Sequence, residues 1–299
     1  MKKIIVWLAV MMYTLSGYAQ DANFHIYLCL GQSNMEGNAK VEEQDTVAVD
    51  SRFQVLAAVD CPNLGRTKGN WYKAVPPLAR CYTGLTPGDY FGRAMVANLP
   101  SNVQVGIINV AVGGCKIELF DKDNYQSYVE TSPDWLKNMV KEYGGNPYAR
   151  LVEMAKLAQK DGVIKGILLH QGESNTNDKD WPSKVKGVYD NLLKDLGLSA
   201  ADVPLLAGEV VHADQNGICA SMNTIIDSLP QVIPTAHVIS SAGCPAAFDN
   251  LHFTAEGYRM LGARYAAKML SILGYGDWMS AQNMKLWYNR PAQDWLEAL

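Results

Sequence analysis

The sequence predicts an α/β protein with a mainly parallel sheet and helices on both of its faces. Short apolar runs alternate with longer helical patterns along the chain, and no internal repeat interrupts them. Gly and polar residues follow the apolar runs, as they do where buried strands end. Hydrophobic residues make up 48% of the 299 residues and charged residues 19%, so the chain can bury a large core.

Five apolar runs are predicted to be buried strands, because each is short and bounded by Gly or polar residues. They cover residues 25–30, 103–112, 163–170, 204–211 and 237–241. Apolar residues at helical spacing predict helices at 89–99, 148–160, 181–196 and 254–273, the last with Thr254 as a candidate N-cap. Residues 40–88 and 115–146 lack a clear period, and we expect them to be insertions that shape a site.

The first 19 residues have the features of a secretory signal peptide. Two lysines precede an apolar run that ends in small residues, a pattern that favours a signal over a buried N-terminal helix. We therefore expect a periplasmic or secreted protein. The predicted organisation is a signal peptide at 1–19, one domain at 20–273, and at 274–299 a linker or arm, or the start of a second module.

Six cysteines would then lie in a compartment that permits disulfides. Cys61 and Cys81, both in an irregular stretch, are the candidate pair. Cys29 lies within a predicted apolar strand, and we expect it to be a small buried hydrophobe.

Charge and spacing argue against several function classes. The net charge of -4 argues against a broad basic surface for nucleic acid or anionic lipid. After the N-terminus no run reaches the roughly 18 apolar residues of a membrane span. The pairs Asp249/His252 and His170/Glu173 do not have the spacing of a zinc motif, so we expect no metal and no organic cofactor.

Unusual residues follow three of the predicted strands. These blocks are GQSNM (31–35), GG (113–114) and HQGESN (170–175), and a fourth, DNLHF (249–253), precedes the last long helix. Ligands of open parallel sheets bind beyond the carboxyl ends of the strands. The sequence therefore predicts a site at this edge of the sheet.

Ser33, His252 and Asp249 are candidates for nucleophilic catalysis. A serine hydroxyl needs a base to remove its proton, and the D-x-x-H spacing lets Asp249 hold the imidazole of His252. Ser33 is not in a G-x-S-x-G elbow, which disfavours the α/β-hydrolase arrangement. In isolation, Ser33 is better explained as a helix N-cap, and Asp249 and His252 are better explained as a surface Asp and a structural His.

Acyl transfer also needs fixed N–H donors for the developing oxyanion. The backbone at Gly113 and Gly114 and the side-chain amide of Gln171 could supply them. The simpler interpretation is that Gly-Gly ends a strand and that Gln171 caps one. All four blocks in this order make the catalytic interpretation much stronger than any one of them.

The four blocks resemble the sialate O-acetylesterase and acetylxylan esterase group, carbohydrate esterase family 6 of the SGNH hydrolases. The resemblance covers about residues 23–272 in order and spacing. It implies a flavodoxin-like three-layer α/β/α sandwich and hydrolysis of O-acetyl esters on carbohydrate. By this resemblance, Ser33 is the nucleophile, His252 the general base and Asp249 its orienting acid.

The resemblance also implies an oxyanion hole made by the Ser33 N–H, the Gly114 N–H and the Gln171 side chain, with Gly113 a weaker candidate. Two departures are present: Gln171 replaces the asparagine of the wider superfamily, and Cys115 stands where relatives often carry Thr or Ser. Glu173 and Gln32 are also expected to support the site. Glu173 either orients His252 or fixes Gln32 and the strand-end loop.

Residues 286–299 resemble the opening of glycoside hydrolase family 95, the α-L-fucosidase and α-L-galactosidase group. This implies a fused glycoside hydrolase and favours acetylated plant polysaccharide, such as xylan, as substrate. The alternative for this segment is an ordinary arm that packs its tryptophans on the domain.

Two other functions stay open. A sialate 9-O-acetylesterase would need a cation for the substrate carboxylate, with candidates in or near residues 40–93 (Arg52, Arg66, Arg80 and Arg93). A non-catalytic carbohydrate-binding module would be expected to have a broken triad. Trp71, Tyr72 and Tyr82 could stack on sugar rings, although packing is the more common use of such residues.

Overall fold

A seven-stranded sheet forms the centre of the computed structural model, which describes residues 20–275. The strand order is β3-β2-β4-β1-β5-β6-β7, and every neighbouring pair is parallel except β2 and β3. The strands are β1 (Asp21–Gly31), β2 (Phe53–Leu56), β3 (Trp71–Lys73), β4 (Gln104–Ala111), β5 (Gly162–His170), β6 (Leu205–Gly208) and β7 (Ala236–Ile239).

Helices cover both faces of the sheet. They are α1 (Ser33–Glu36), α2 (Glu43–Thr46), α3 (Pro87–Asn98), α4 (Tyr125–Thr131), α5 (Asp134–Glu142), α6 (Pro147–Ala158), α7 (Trp181–Leu196), α8 (Asn223–Ile226), α9 (Leu229–Val232) and α10 (Ala255–Ile272). One core joins the sheet to α5, α6 and α7, and a second joins it to α3 and α10. This three-layer arrangement confirms the predicted fold class.

The long helices begin where the sequence places good caps. The side chains of Thr86, Asn146 and Thr254 accept hydrogen bonds from backbone N–H groups in the first turns of α3, α6 and α10. Proline follows the cap in α3 and α6, where a missing N–H costs nothing. Gly262 lets α10 approach α3 closely, since a Cβ there would lie 2.4 Å from the Pro87 carbonyl oxygen.

All five predicted strands and all four predicted helices are present, with small differences at their ends. The strand predicted at 204–211 is shorter, because the chain leaves the sheet after Gly208. Residues 40–88 are more than an insertion, since they contribute β2 and β3. Residues 115–146 hold α4 and α5.

The cysteines confirm two predictions, the Cys61–Cys81 disulfide and the burial of Cys29. Cys61 and Cys81 form a disulfide within residues 40–88. Cys29 is free and fully buried in β1, and the other free cysteines of the described chain are Cys115, Cys219 and Cys244.

No helix between residues 20 and 275 is long and apolar enough to cross a membrane. The predicted signal peptide at 1–19 and the segment at 286–299 that resembles a glycoside hydrolase lie outside the described residues.

Candidate active site

The carboxyl ends of the three central strands bring three of the four sequence blocks together. In the sheet register, Gly31 at the end of β1 pairs with Ala111 of β4 on one side and with His170 of β5 on the other. Gly31 has a φ of +153°, and a Cβ there would lie 2.0 Å from the His170 carbonyl oxygen, so the position requires glycine. The chain then turns directly into α1, which begins at Ser33.

Ser33, His252 and Asp249 form a hydrogen-bonded chain. The Ser33 Oγ lies 2.9 Å from His252 Nε2, and His252 Nδ1 lies 2.6 Å from Asp249 Oδ2. Because an ionised carboxylate only accepts hydrogen bonds, Nδ1 carries the proton and Nε2 is left to accept from the serine hydroxyl. This is the geometry in which a histidine can remove the serine proton.

Asp249 is held in its charged form. Partial burial disfavours ionisation, but the backbone N–H and ring of His252 and the backbone N–H of Leu251 donate hydrogen bonds to it and lower its pKa. The loop is pinned further by the Ala247 N–H, which donates to the His252 carbonyl oxygen at 2.7 Å. The imidazole orientation is therefore fixed by the fold.

Two backbone N–H groups beside Ser33 are available for an oxyanion. Within residues 20–275 neither the Ser33 N–H nor the Gly114 N–H donates a hydrogen bond to another group. The Gly113 N–H instead donates to Glu36 Oε1 at 3.2 Å. The structure thus leaves the predicted Gly114 donor available and occupies that of Gly113.

Gln171 differs from its predicted role, because its side-chain amide has no hydrogen left to donate. Nε2 lies 3.1 Å from Gln32 Oε1, 2.8 Å from Asn175 Oδ1 and 3.3 Å from the Cys115 carbonyl oxygen. The Trp181 indole N–H can only donate, and it donates to Gln171 Oε1, which fixes which end is the amide nitrogen. Gln171 braces the segments on either side of the site and lies 1% exposed beneath it.

Within the described residues, Glu173 makes no hydrogen bond to His252. It is buried, which raises its pKa, and its Oε1 accepts a hydrogen bond from Asn34 Nδ2. The same Nδ2 donates to the Leu251 carbonyl oxygen at 3.1 Å, and Tyr258 donates to Asn34 Oδ1 at 2.6 Å. Asn34 thus tethers the serine helix to the histidine loop, and Glu173 joins the same amide from the loop that follows β5. Gln32 is held by other donors of the strand-end loop, among them the Ser174 N–H at 3.2 Å from its Oε1.

The Glu36–Arg80 pair was not predicted from the sequence. Arg80 lies beside the Cys61–Cys81 disulfide, and its guanidinium forms a largely buried ion pair with Glu36. Burial raises the pKa of Glu36, although Arg80 opposes this shift. Glu36 belongs to the same short helix as Ser33, and an acid so close to a candidate nucleophile was the one available signal. The pair ties the disulfide-linked insertion to the Gly113 N–H.

The four arginines considered as anion sites are already engaged. Arg52 pairs with Asp50, Arg93 with Asp89 and Arg80 with Glu36. Arg66 donates to the carbonyl oxygens of Pro77 and Val75. Across residues 20–275 there is also no group of three or more His, Cys, Asp or Glu side chains that could hold a metal ion.

The sequence matches the family model of the sialic acid-specific acetylesterases, a carbohydrate esterase family, over residues 23–271. The chain belongs to this family. It is therefore a carboxylic ester hydrolase of the carbohydrate acetylesterase kind.

Several relatives share this acetylesterase's fold. A probable carbohydrate esterase of Arabidopsis thaliana is 26% identical over 262 residues, covering 82% of this chain and 90% of that protein. The X-ray structure of that protein gives a TM-score of 0.64 at 22% identity, covering 84% of this chain and 99% of the other. The crystal structure of NanS gives a TM-score of 0.61 at 14% identity, covering 86% of this chain and 99% of the other. A carbohydrate acetylesterase from Xanthomonas citri gives 0.57 at 18% identity, covering 83% of this chain and 56% of the other.

Proposed function

We propose that this acetylesterase uses Ser33, His252 and Asp249 as a catalytic triad to remove O-acetyl groups from plant polysaccharide such as acetylated xylan. The observation that carries the triad is the unbroken hydrogen-bond chain from Ser33 Oγ through His252 to Asp249. These hydrogen bonds also argue against a non-catalytic carbohydrate-binding module, since such a module does not need a serine, a histidine and an acid within hydrogen-bond distance of one another.

The reaction follows from this geometry. His252 Nε2 takes the Ser33 proton as Oγ attacks the acetyl carbonyl carbon, and Asp249 stabilises the imidazolium that forms. The backbone N–H groups of Ser33 and Gly114 receive the oxyanion. The sugar hydroxyl leaves with the proton from His252. Water then attacks the acetyl-enzyme with the same base, and acetate is released.

The choice of a polysaccharide substrate rests on two arguments. The first is the resemblance of residues 286–299 to a fucosidase and galactosidase module, whose presence as a fused partner would place the esterase on branched plant polysaccharide. The second is that all four arginines considered for a sialate carboxylate already have partners. On these grounds we propose that the chain is an acetylxylan esterase of carbohydrate esterase family 6.

One observation favours a second candidate, a sialate 9-O-acetylesterase. Lys40 and His252 line the same cleft. In the described part of the chain no carboxylate lies within salt-bridge distance of Lys40, so its ammonium could receive a substrate carboxylate.

The location and partners proposed for the enzyme follow from the sequence. A signal peptide at 1–19 would carry it to the periplasm or out of the cell. The Cys61–Cys81 disulfide is consistent with an oxidising compartment. A fused glycoside hydrolase module that opens with residues 286–299 would be its partner on the same polysaccharide.

The deciding experiment measures acetate released by wild type and by Ser33→Ala from acetylated xylan and from 9-O-acetyl sialic acid. We expect release from xylan and a loss of about 10³-fold or more in kcat in Ser33→Ala, since no other hydroxyl replaces the nucleophile. Ser271→Ala, at the exposed far end of α10, is the matched control.

Release from sialic acid alone would keep the triad and replace the substrate. Near-normal turnover by Ser33→Ala would overturn the triad itself.

A further inference from the structure

The exposed large hydrophobic side chains of the described chain are unevenly distributed. Tyr82, Trp135 and Phe248 all belong to segments that approach Ser33, and Ile218 is hydrogen-bonded through its backbone to the loop that carries His252. The remaining two, Ile272 and Tyr275, lie at the end of α10 away from the site. Leaving an aromatic ring in water forgoes its favourable burial, so a group of them around a catalytic serine points to a ligand.

Trp135 lies against the oxyanion side of the site. It is the second residue of α5, which is anchored by the buried side chains Leu136 and Val140. A Cβ on Gly114 would lie 2.6 Å from Trp135 Cη2, so the indole packs directly on that glycine. Even so, 53% of Trp135 is exposed. The indole therefore borders the candidate oxyanion donor with much of its surface free.

Phe248 occupies the opposite side, beside the base. It immediately precedes Asp249 and lines a cleft of about 520 Å³ together with His252 and Lys40. The Asn250 N–H donates to the Ala247 carbonyl oxygen at 3.0 Å, so Phe248 is presented at the tip of a hydrogen-bonded turn. Its side chain is fully exposed.

We propose that Phe248 and Trp135 are stacking platforms for two sugar rings of one acetylated polysaccharide chain that crosses Ser33. This rests on the proposed esterase function and deepens it, because it makes the substrate an oligomer or polymer rather than a free monosaccharide. The C–H groups on one face of a pyranose give it an apolar surface that an aromatic ring can cover, while its hydroxyls stay in water. The leaving sugar lies on Phe248, next to the base that returns the proton to it. A neighbouring sugar lies on Trp135.

The test compares kcat/KM for acetylated xylan with kcat/KM for p-nitrophenyl acetate, which has no sugar ring. We expect the ratio of the two to fall about tenfold in Phe248→Ala and in Trp135→Ala, mainly through KM for xylan. Phe248→Tyr and Trp135→Phe keep a ring and should restore the ratio to within about threefold. Tyr275→Ala removes an exposed aromatic residue at the far end of α10 and is the matched control.

A binding measurement tests the platforms without turnover. The Kd for acetylated xylan is compared between Ser33→Ala and the double variants that also carry Phe248→Ala or Trp135→Ala, and we expect weaker binding in the double variants. An unchanged ratio in both alanine variants, with Ser33-dependent hydrolysis of p-nitrophenyl acetate intact, overturns the platforms and leaves the esterase. An equal loss on both esters also overturns them, because the residues would then act on the chemistry or the fold. If no Ser33-dependent hydrolysis of either ester occurs, the proposed function fails and the platforms fail with it.

Discussion

Two histidine–carboxylate pairs lie near Ser33, each with a spacing of three residues, yet they differ in almost every physical property. Asp249 and His252 are partly exposed and hydrogen-bonded at 2.6 Å. His170 and Glu173 are buried, with 3.8 Å between Nε2 and Oε1. Burial lowers the pKa of His170 to about 3 and raises the pKa of Glu173, whereas hydrogen bonds lower the pKa of Asp249 against its partial burial.

The difference shows that environment, not spacing, decides which pair can do acid–base chemistry. Asp249 keeps its charge, because hydrogen bonds and water stabilise the carboxylate. The buried pair favours the neutral form of both groups, and within the described residues His170 Nε2 and Glu173 Oε2 have no hydrogen-bond partner. Its lowered pKa makes His170 a much weaker base than an ordinary histidine, and Glu173 acts through its bond to Asn34.

The strongest way to break this comparison is to neutralise each acid in turn. Asp249→Asn should lower kcat for acetate release by about 10²–10⁴-fold, because an amide no longer fixes the tautomer of His252 or stabilises its charge. Glu173→Gln should lower kcat by less than about tenfold, because the new amide oxygen still accepts from Asn34.

Both variants are compared at one pH and at temperatures where circular dichroism shows the native fold. If Glu173→Gln lost as much kcat as Asp249→Asn, Glu173 would be acting on the reacting groups, and the assignment of the two acids would be wrong.

Much of the exposed site was predictable from the sequence, because it is built from local features. An apolar run, a glycine and a serine place Ser33 at a strand end, and the D-x-x-H spacing brings Asp249 to His252. The short strands β2 and β3 were missed, since three or four residues carry too little pattern to distinguish a strand from a loop.

The buried side of the site was less predictable, since it depends on contacts between distant residues. Gln171 looked like a donor to substrate, but its amide hydrogens are taken up by buried acceptors, among them Gln32, 139 positions away, and its oxygen accepts from Trp181. The Glu36–Arg80 pair joins residues 44 positions apart across the disulfide-linked insertion. No local pattern reports whether a polar side chain faces the cleft or the core.

Gln171 offers a sharper test of the buried side, with a smaller effect. Gln171→Met should lower the free energy of unfolding by about 1–3 kcal/mol, because it leaves the buried indole N–H of Trp181 without an acceptor. The other groups lose less, since Gln32 Oε1 keeps the Ser174 N–H and Asn175 Oδ1 keeps the Ile117 N–H.

Urea unfolding and kcat for acetate release are measured on the same preparation, and we expect kcat to fall less than about tenfold. A loss of about 10²–10³-fold in kcat with unchanged stability would instead support the oxyanion role predicted from the sequence.

The smallest expected effect is on the pH dependence of stability. Unfolded glutamate has a pKa of about 4.3, and folded Glu173 keeps its proton to a higher pH. As the pH rises from about 4.3 through the folded pKa, the folded state binds more protons than the unfolded state, so the free energy of unfolding falls. His170 acts in the opposite sense, since its lowered pKa costs stability as the pH falls below 6.5.

Glu173→Gln removes the contribution of Glu173 to the pH dependence of the unfolding free energy and keeps that of His170. The unfolding free energy of wild type should therefore fall relative to the variant as the pH rises, by at most about 1.4 kcal/mol per pH unit. Glu130→Gln, which removes an exposed carboxyl, controls for the change in net charge. Parallel curves for wild type and Glu173→Gln would mean that Glu173 is already ionised in the folded protein. Glu173 would then carry charge as Asp249 does, and the contrast between the two acids would disappear.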